Sequence, residues 1–321
     1  TGMCEAFLLP YNRKMWKRPL EQLASTGFQW TITSPDHAEV RRGLETPDWD
    51  FRAYNADGWY PRPAAGAPVR GMACLSQALA RQVTDLRLQR RIVSIDVRRR
   101  EVVAETSSGN ECYRWRRACL ATLPLPECIR LCPQAPSQLR HRTQALLSNR
   151  VVMVYLAIRG SRPSYCGHWR YYADESVLFN RLVYMHAFDP LTAPAHGWGL
   201  MAEITQRAED PEPDLEVVCK RTVDDIRRVG ALRPTDDIVM STTRIVDPAY
   251  VVFTRDNAEV ASEARSFLTA NGITPLGRYG NWEYSSMAQV MRDGFAWGSD
   301  RATELSYLPP QRTSWRSLAQ A

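Results

Sequence analysis

Hydrophobic positions recur at helical spacing in three segments of the chain. Apolar residues three and four positions apart predict a helix in "MACLSQALARQV", directly after Gly71. A second helix is predicted in "PDLEVVCKRTVDDIRRVG", where Gly230 supplies a C-terminal cap. "AEVASEARSFLTANG" predicts the third. Residues 1–50 indicate helices and loops.

Alternating apolar and polar positions predict strands in the rest of the chain. "LRLQRRIVSIDV" and "EVVAETSSG" flank the turn-forming "RRR", which favours a hairpin, and "SSGNE" indicates a further turn. "ACLATLPLP" is a short apolar strand that its prolines end. Further strands are predicted in the following segments: "VVMVYLAIRG", "SVLFNRLVYM", "GWGLMAEITQRA" and, as a strand pair, "DDIVMSTTRIVDPAYVVFT".

The order of these elements predicts a mixed α/β (α+β) protein with two interleaved domains. Residues 61–135 and 266–300 are assigned to one domain. Residues 136–265 form the second, a sheet-and-helix domain, to which the helical and loop segment 1–60 belongs. Residues 301–321 are predicted to be a tail.

The charge of the chain is carried almost entirely by arginine. The 321 residues have a net charge of +6, and Lys14, Lys17 and Lys220 are the only lysines. The arginines occur in short groups, at 98–100 and 114–117, beside acidic residues. This pattern is more typical of a solvated strand face than of a nucleic-acid surface, so we expect no nucleic-acid partner.

Two further classes of protein are disfavoured by the sequence. No apolar run is long enough to cross a bilayer, and the N-terminal residues lack the pattern of a signal peptide, which predicts a cytoplasmic protein without a membrane span. The eight cysteines are scattered except in "CIRLC", and no histidine cluster accompanies them. We therefore expect free thiols and no metal site.

The segment "PLGRYGNWEYSSMAQVM" carries the most distinctive local pattern. Gly277 and Gly280 flank Arg278, and a predicted helix begins at a serine pair. Glycine beside a helix N-terminus allows a ligand to approach the backbone, and the unpaired N–H groups there suit an anion. A glycine-capped turn before an ordinary core helix is the alternative interpretation.

Several segments together resemble one known family. The chain is similar, over nearly its whole length, to the UDP-galactopyranose mutase-like branch of the FAD-dependent oxidoreductases, a superfamily that includes protoporphyrinogen oxidase and the amine oxidases. The segments that carry the resemblance occur in the family's order: "LLPYNRKMWKRPL", "NADGWYPRP", "RIVSID", "ATLPLP", "FNRLVY", "PAYVVF" and "GRYGNWEYSSMAQVM".

The resemblance implies FAD as the cofactor and assigns residues to it. Gly277 and Arg278 would line the flavin, and Ser286 and Met287 would begin the helix directed at it. Ile92 would pack near the adenine, with Thr122 and Pro124 in the neighbouring loop, although a plain strand with a proline exit explains these three positions equally well.

The resemblance also implies two residues that contact substrate. Arg181 in "FNRLVY" would bind the substrate pyrophosphate, since an arginine among apolar strand residues needs an anion. A salt bridge to Glu175 or Asp189 is the alternative. Tyr250 in "PAYVVF" would be an active-site tyrosine, and a buried core tyrosine is the alternative for it.

The chain departs from the family pattern at several positions. It has no G-x-G-x-x-G, the motif that holds the FAD pyrophosphate, so it resembles the C-terminal portion of such an enzyme: an incomplete FAD-binding Rossmann-like domain interleaved with a substrate domain. A partner chain that supplies the missing dinucleotide-binding segment would complete it. Trp282 and Ser286 stand where bacterial mutases carry Tyr and Asp, which puts UDP-galactopyranose in question as the substrate.

Three functions follow as hypotheses. The first is an FAD-dependent mutase-like enzyme that acts on a small anionic molecule such as a nucleotide-sugar. The second is an FAD-dependent oxidase or dehydrogenase of an amine or a porphyrinogen-like substrate. The third is a non-catalytic, truncated remnant.

Overall fold

The computed structural model describes residues 2–24, 36–45, 63–163, 167–255 and 257–306. The helices are α1 (Leu9–Trp16), α2 (His37–Glu45), α3 (Ala73–Ala80), α4 (Leu125–Arg130), α5 (Ser137–Thr143), α6 (Met185–Phe188), α7 (Leu215–Arg228), α8 (Asn257–Ala270), α9 (Gly277–Gly280) and α10 (Met287–Ser306). The strands are β1 (Arg91–Asp96), β2 (Glu101–Thr106), β3 (Gly109–Arg114), β4 (Cys119–Ala121), β5 (Ser148–Arg159), β6 (Trp169–Tyr171), β7 (Arg181–Tyr184), β8 (Gly197–Arg207), β9 (Asp237–Val251) and β10 (Ile273–Pro275). The prediction of a mixed α/β protein is confirmed.

The chain forms two compact units that interleave in sequence. The first unit comprises residues 1–89 and 147–255, and the second comprises 90–146 and 256–321. The sequence placed these boundaries after residues 60, 135 and 265. The segment "NADGWYPRP" and most of the predicted tail lie wholly or mainly outside the described residues.

Residues 63–89 belong to the first unit because polar contacts hold them there. The guanidinium of Arg70 donates from Nε to Oδ2 of Asp189 at 2.8 Å, and its amino groups donate to the carbonyls of Pro63 and Ala64. Asp189 is buried and also accepts from the N–H of Leu191. A sequence pattern does not reveal such a pair, whose partners are 119 residues apart.

A five-stranded antiparallel sheet forms the centre of the first unit, in the order β6-β7-β8-β5-β9. One face of the sheet carries apolar side chains, and α7 packs over them and helps to bury them. Asp214 caps that helix by accepting from the N–H groups of Glu216 and Val217, and Gly230 takes φ +70° after it. The core side chains on this face alternate along β5 and β8: Val152, Val154, Leu156, Ile158, Trp198, Leu200, Ala202 and Ile204.

The strand pair predicted from "DDIVMSTTRIVDPAYVVFT" is wrong, because these residues form the single strand β9. Its register with β5 skips from Val246 to Tyr250, so the residues between them bulge outward instead of reversing the chain. Pro248 indicates a turn in the sequence, but an edge strand tolerates proline at a bulge.

The second unit contains two small sheets. Strands β1, β2 and β3 form an antiparallel meander, which confirms the hairpin predicted across "RRR". The sequence indicated only the turn before β3 and missed the strand itself. Strands β4 and β10 pair in parallel, and the N–H of Leu276 extends their ladder to the carbonyl of Ala121 at 2.9 Å.

Candidate functional site

Among the described residues, α1 covers one end of the second face of the five-stranded sheet, and exposed or half-exposed side chains lie on the rest of it. Helix α1 packs against β8 at the covered end. There the side-chain amide of Asn149 donates to the carbonyls of Met15 and Trp16 at 3.2 and 3.1 Å. The rest of this face carries aromatic, charged and apolar side chains, and we call it the open face. Its residues are Trp169, Tyr171, Arg181, Glu203, Arg244, Tyr250, Ala157, Gly199 and Met240.

Arg181 and Glu203 form a pair on the open face. They are directly opposite each other on β7 and β8, and the guanidinium donates to both carboxylate oxygens at 2.6 and 2.5 Å. The side chains are 23% and 9% exposed. The rings of Trp169 and Tyr171 lie 5.7 and 5.9 Å from the guanidinium, so cation–π contacts add to the pair.

This pair differs from the alternative considered for Arg181. The sequence suggested Glu175 or Asp189 as its salt-bridge partner, whereas Arg181 binds Glu203 and Asp189 binds Arg70. The register of β7 with β8 decides the outcome. The Nη1 amino group of Arg181 makes no hydrogen bond to a described residue, so one edge of the guanidinium remains available to an anion on the open face.

Tyrosines line the end of the open face beside α1. Tyr250 is half-buried and packs edge-on against Trp16, with ring centroids 6.5 Å apart. Tyr11 packs edge-on against Tyr171 at 5.2 Å. Burial raises the pKa of the Tyr11 hydroxyl, Tyr171 adds to the rise, and Arg181 opposes it. Tyr11 is therefore a neutral phenol at physiological pH and able to donate a hydrogen bond.

Sequence reasoning missed a second arginine on this face. Arg244 on β9 is opposite Met153, and Met153 is opposite Glu203, so Arg181 and Arg244 lie in one row across the sheet, roughly 14 Å apart. Arg244 is exposed and forms no salt bridge with a described residue. The incorrect prediction of a strand pair hid its position, because it divides the single strand β9 that aligns Arg244 with Met153.

Apolar residues follow the charged row along the sheet. Ala157, Gly199 and Met240 are neighbours across β8, β5 and β9, and they line a groove of about 600 Å³ together with Met185. A Cβ on Gly199 would lie only 3.2 Å from Cγ of Met185, the first residue of α6. Glycine at this position therefore allows α6 to pack close to β8. The open face thus changes from charged to apolar along the strands.

Lys14 is a buried cation on α1, the helix that covers one end of this face of the sheet. It is 5% exposed, and its Nζ donates to the carbonyls of Tyr172 and Asp174 at 3.2 and 2.7 Å. Burial, with a smaller contribution from Lys17, lowers the pKa of Lys14 to about 8. These contacts hold α1 to the residues that follow β6.

The lowered pKa of Lys14 predicts a pH dependence of stability. The unfolded chain holds this proton up to about pH 10.4, so the cost of burying the charge is present below pH 8 and disappears as the pH rises towards 10.4. We expect the free energy of unfolding of the wild type, relative to that of Lys14→Met, to rise by about 1 kcal/mol between pH 7 and pH 9.5. Urea denaturation at both pH values measures this difference. Lys220→Met, exposed on α7, is the matched control, and an equal difference at both pH values would contradict the prediction.

Four of the predicted cofactor residues lie in one segment of the second unit, residues 277–287, from α9 to the start of α10, which we call the closing segment. Gly277 has φ +80°, which favours glycine. Arg278 donates to the carbonyl of Ser285 from Nε and Nη2, at 3.1 and 2.7 Å, and lies 4.9 Å from the ring of Tyr284. Ser286 caps α10 by accepting from the N–H of Gln289, and Met287 is 46% exposed. Arg278 therefore holds the turn that presents the first residues of α10.

The structure brings Thr122 to this segment as well. Gly280 lies against β4, where an added Cβ would be 2.5 Å from the carbonyl oxygen of Ala121 and 3.4 Å from Cα of Thr122. Pro124 precedes α4 in the same connection. Ile92 lies in β1, which belongs to the other sheet of the unit. Thr122 thus meets the closing segment directly, whereas Ile92 lies in a separate sheet.

Three buried polar atoms, two in this segment and one about 15 Å further along α10, lack a hydrogen-bond partner among the described residues. They are Nε1 of Trp282, Oγ of Ser285 and Nε1 of Trp297. Buried donors without partners are costly, and a polar ligand would satisfy them. Trp282 and Ser285 offer donors of the kind that the carbonyl and nitrogen acceptors of a flavin ring would bind.

Metal and membrane sites are not found in the described part of the chain. Its His, Cys, Asp and Glu side chains include no group of three that could hold a metal ion. Burial raises the pKa of the Cys128 thiol to about 12, with small contributions from Cys119 and Cys132. No helix within the described ranges is long and apolar enough to cross a membrane.

Comparison with known proteins shows which folds this chain shares. No model of a protein family matches the sequence. A reduced UDP-galactopyranose mutase superposes with a TM-score of 0.72 and 17% identity, over 88% of this chain and 61% of that one. A protein assigned as a protoporphyrinogen oxidase, from Exiguobacterium sp. 255-15, superposes with a TM-score of 0.51 and 17% identity, over 65% of this chain and 46% of that one. The chain shares their fold and spans about three fifths of the mutase.

Proposed function

We propose that this chain is part of a flavin-dependent enzyme that acts on a small anionic substrate, such as a nucleotide-sugar or a similar diphosphate. The open face of the first unit is the observation that carries the proposal. It combines Arg181 and Arg244 on one sheet with the neutral phenol of Tyr11 on α1, and the fold is shared with UDP-galactopyranose mutase over 88% of the chain.

The open face suits an anion with two charged groups. Arg181 is oriented by Glu203 and two aromatic rings, so it is preorganised, and its free edge donates to a phosphate oxygen. Tyr11 adds a neutral donor. The Tyr250 hydroxyl would be a further contact to the substrate. Arg244, roughly 14 Å along the row, would hold a second group.

The second unit would hold the flavin through its closing segment. Gly277 allows close approach, and Ser286 and Met287 present the N-terminus of α10. The unpaired donors of Trp282 and Ser285 would bind flavin acceptors. A bound flavin would supply the nucleophilic or hydride-accepting nitrogen that such enzymes need. Since the sequence lacks G-x-G-x-x-G, we propose that a segment outside these 321 residues holds the pyrophosphate.

An oxidase or dehydrogenase is the second candidate, and a specific observation favours it. The groove beside Ala157, Gly199 and Met240 would accept an apolar body rather than a sugar. The oxidase-like neighbour shares the fold over 65% of the chain. An apolar substrate with one carboxylate would contact Arg181 and this groove together.

Titration with UDP and uridine tests the substrate side. We expect UDP to bind the full chain at least about tenfold more tightly than uridine, because only UDP offers a diphosphate to Arg181. The double variant Arg181→Gln, Glu203→Gln removes the guanidinium without leaving a buried charge, and it should lose about tenfold in UDP affinity by calorimetry. The matched control is the exposed pair on β1 and β2, as Arg91→Gln, Glu105→Gln.

Two outcomes of this titration would overturn the proposal for the anionic substrate. Equal affinities for UDP and uridine would show that the diphosphate is not recognised. UDP affinity unchanged in the Arg181 and Glu203 variant would show that the open face is not the site. Flavin absorbance after addition of FAD tests the cofactor side independently.

A further inference from the structure

The two arginine groups of the sequence meet at one end of the β1-β2-β3 sheet. The turn 97–100 joins β1 to β2, and β3 ends at Arg114, directly opposite Glu101 at the start of β2. The N–H of Trp115 donates to the carbonyl of Arg100 at 3.0 Å, and Nη1 of Arg100 donates to the carbonyl of Arg116 at 3.3 Å. We call the following five residues the arginine tip: Arg98, Arg99, Arg100, Arg116 and Arg117.

The arginine tip concentrates positive charge at one end of the sheet, and no carboxylate in the described part of the chain pairs with it. All five residues are exposed, and none forms a salt bridge with a described residue. Asp96 lies beside them, and its Oδ1 accepts from the N–H groups of Arg98 and Arg99, which holds the turn. Crowding of like charges is unfavourable, and an external anion would relieve it.

The arginines along the strands behave differently, because cross-strand carboxylates neutralise them. Arg91 binds Glu105 at 2.5 Å, Arg114 binds Glu101, and Arg90 binds Glu111 at 3.1 Å. The uncompensated charge is therefore confined to the end of the sheet and does not continue along the strands. The sequence predicted that all these arginines lie on a solvated strand face. The cross-strand pairs fit that prediction, whereas the unpaired arginines of the tip form a separate group that the sequence did not reveal.

This distribution distinguishes between anionic partners. A nucleic acid lying along the sheet would meet Glu101 and Glu105 on one face of β2. The tip, roughly 10 Å wide across three strands, covers few phosphates. A flat anionic surface meets the tip alone and brings all five charges within about one Debye length. The guanidinium also binds phosphate oxygens in pairs, which suits the phosphates of lipid headgroups.

We propose that the arginine tip binds the surface of membranes that contain anionic lipids. The contact is peripheral and electrostatic. It lies wholly within the second unit and does not depend on the function proposed for the open face. Each arginine near such a surface strengthens binding by about fivefold, so the tip as a whole gives binding that salt weakens strongly.

Co-sedimentation of the full chain with lipid vesicles tests this proposal. We expect binding to phosphatidylcholine vesicles with about 30% phosphatidylserine, none to phosphatidylcholine alone, and loss of binding between roughly 0.05 and 0.5 M salt. Arg98→Gln, Arg99→Gln, Arg117→Gln should weaken binding about a hundredfold. Arg140→Gln is the control and should bind as the wild type does. Arg140 lies on α5, is exposed, and forms no salt bridge with a described residue. Far-UV circular dichroism confirms that the variants fold.

Three results would overturn the proposal. One is the absence of wild-type binding to the anionic vesicles at low salt. Another is equal binding by the wild type and the triple variant. The third is tip-dependent binding to a short single-stranded DNA oligonucleotide without binding to vesicles, which would identify a nucleic acid as the partner.

Discussion

Gly280→Ala is expected to destabilise the second unit by about 3 kcal/mol. The added Cβ would lie 2.5 Å from the carbonyl oxygen of Ala121, well inside van der Waals contact. That oxygen belongs to β4 and accepts from the N–H of Leu276. The clash can be relieved only by moving backbone, which breaks the ladder between β4 and β10 and displaces the closing segment.

Gly294 provides the matched control within the same unit. It lies in α10 with nothing within 4 Å of an added Cβ, so Gly294→Ala should stabilise the helix by roughly 0.5–1 kcal/mol. Urea denaturation measures both variants. Hydrogen exchange of the Leu276 amide should become faster only in Gly280→Ala. A stability for this variant close to that of the wild type would contradict the packing described for Gly280.

Glu203→Ala is expected to lower the free energy of unfolding by about 3 kcal/mol. Glu203 is the partner of Arg181, and the substitution leaves a guanidinium that is only 23% exposed without its counter-charge. The aromatic rings of Trp169 and Tyr171 keep water from replacing the carboxylate fully. The cost therefore comes mostly from the unpaired charge and not from the lost contact itself.

A double-mutant cycle separates these two contributions. Arg181→Gln, Glu203→Gln should recover more than half of the lost stability, because it removes both charges. Glu105→Gln, in the exposed pair with Arg91, should cost less than about 0.5 kcal/mol. Equal effects of Glu203→Ala and Glu105→Gln would show that the Arg181 pair is solvated.

The elements predicted correctly are those with strong local signals. The helices α3, α7 and α8 follow from apolar spacing, and the β1-β2 hairpin follows from alternation around "RRR". The errors occurred where a local signal has two structural outcomes. Pro248 marks a turn in most contexts, but in β9 it lies at a bulge on the edge of the sheet. The short, polar β3 has too few apolar residues to indicate a strand.

The candidate site was only partly predictable from the sequence. Arg181 was identified because a charge among apolar strand residues needs a partner, and this reasoning used local sequence alone. Its actual partner, Glu203, is 22 residues away and is selected by the register of two strands. Tyr11 and Arg244 carried no local signal, because their neighbours on the open face come from distant segments.

The sequence by itself determined the class of the fold and the local caps and turns, because these depend on residues within a few positions of one another. Only the tertiary structure decided which charges are neutralised. The register of the sheets pairs Arg181 with Glu203 and Arg91 with Glu105, and the same register gathers five arginines at one end of the second unit without partners among the described residues. Electrostatic pairing acts across a few ångströms of space, and distance along the chain does not reveal it.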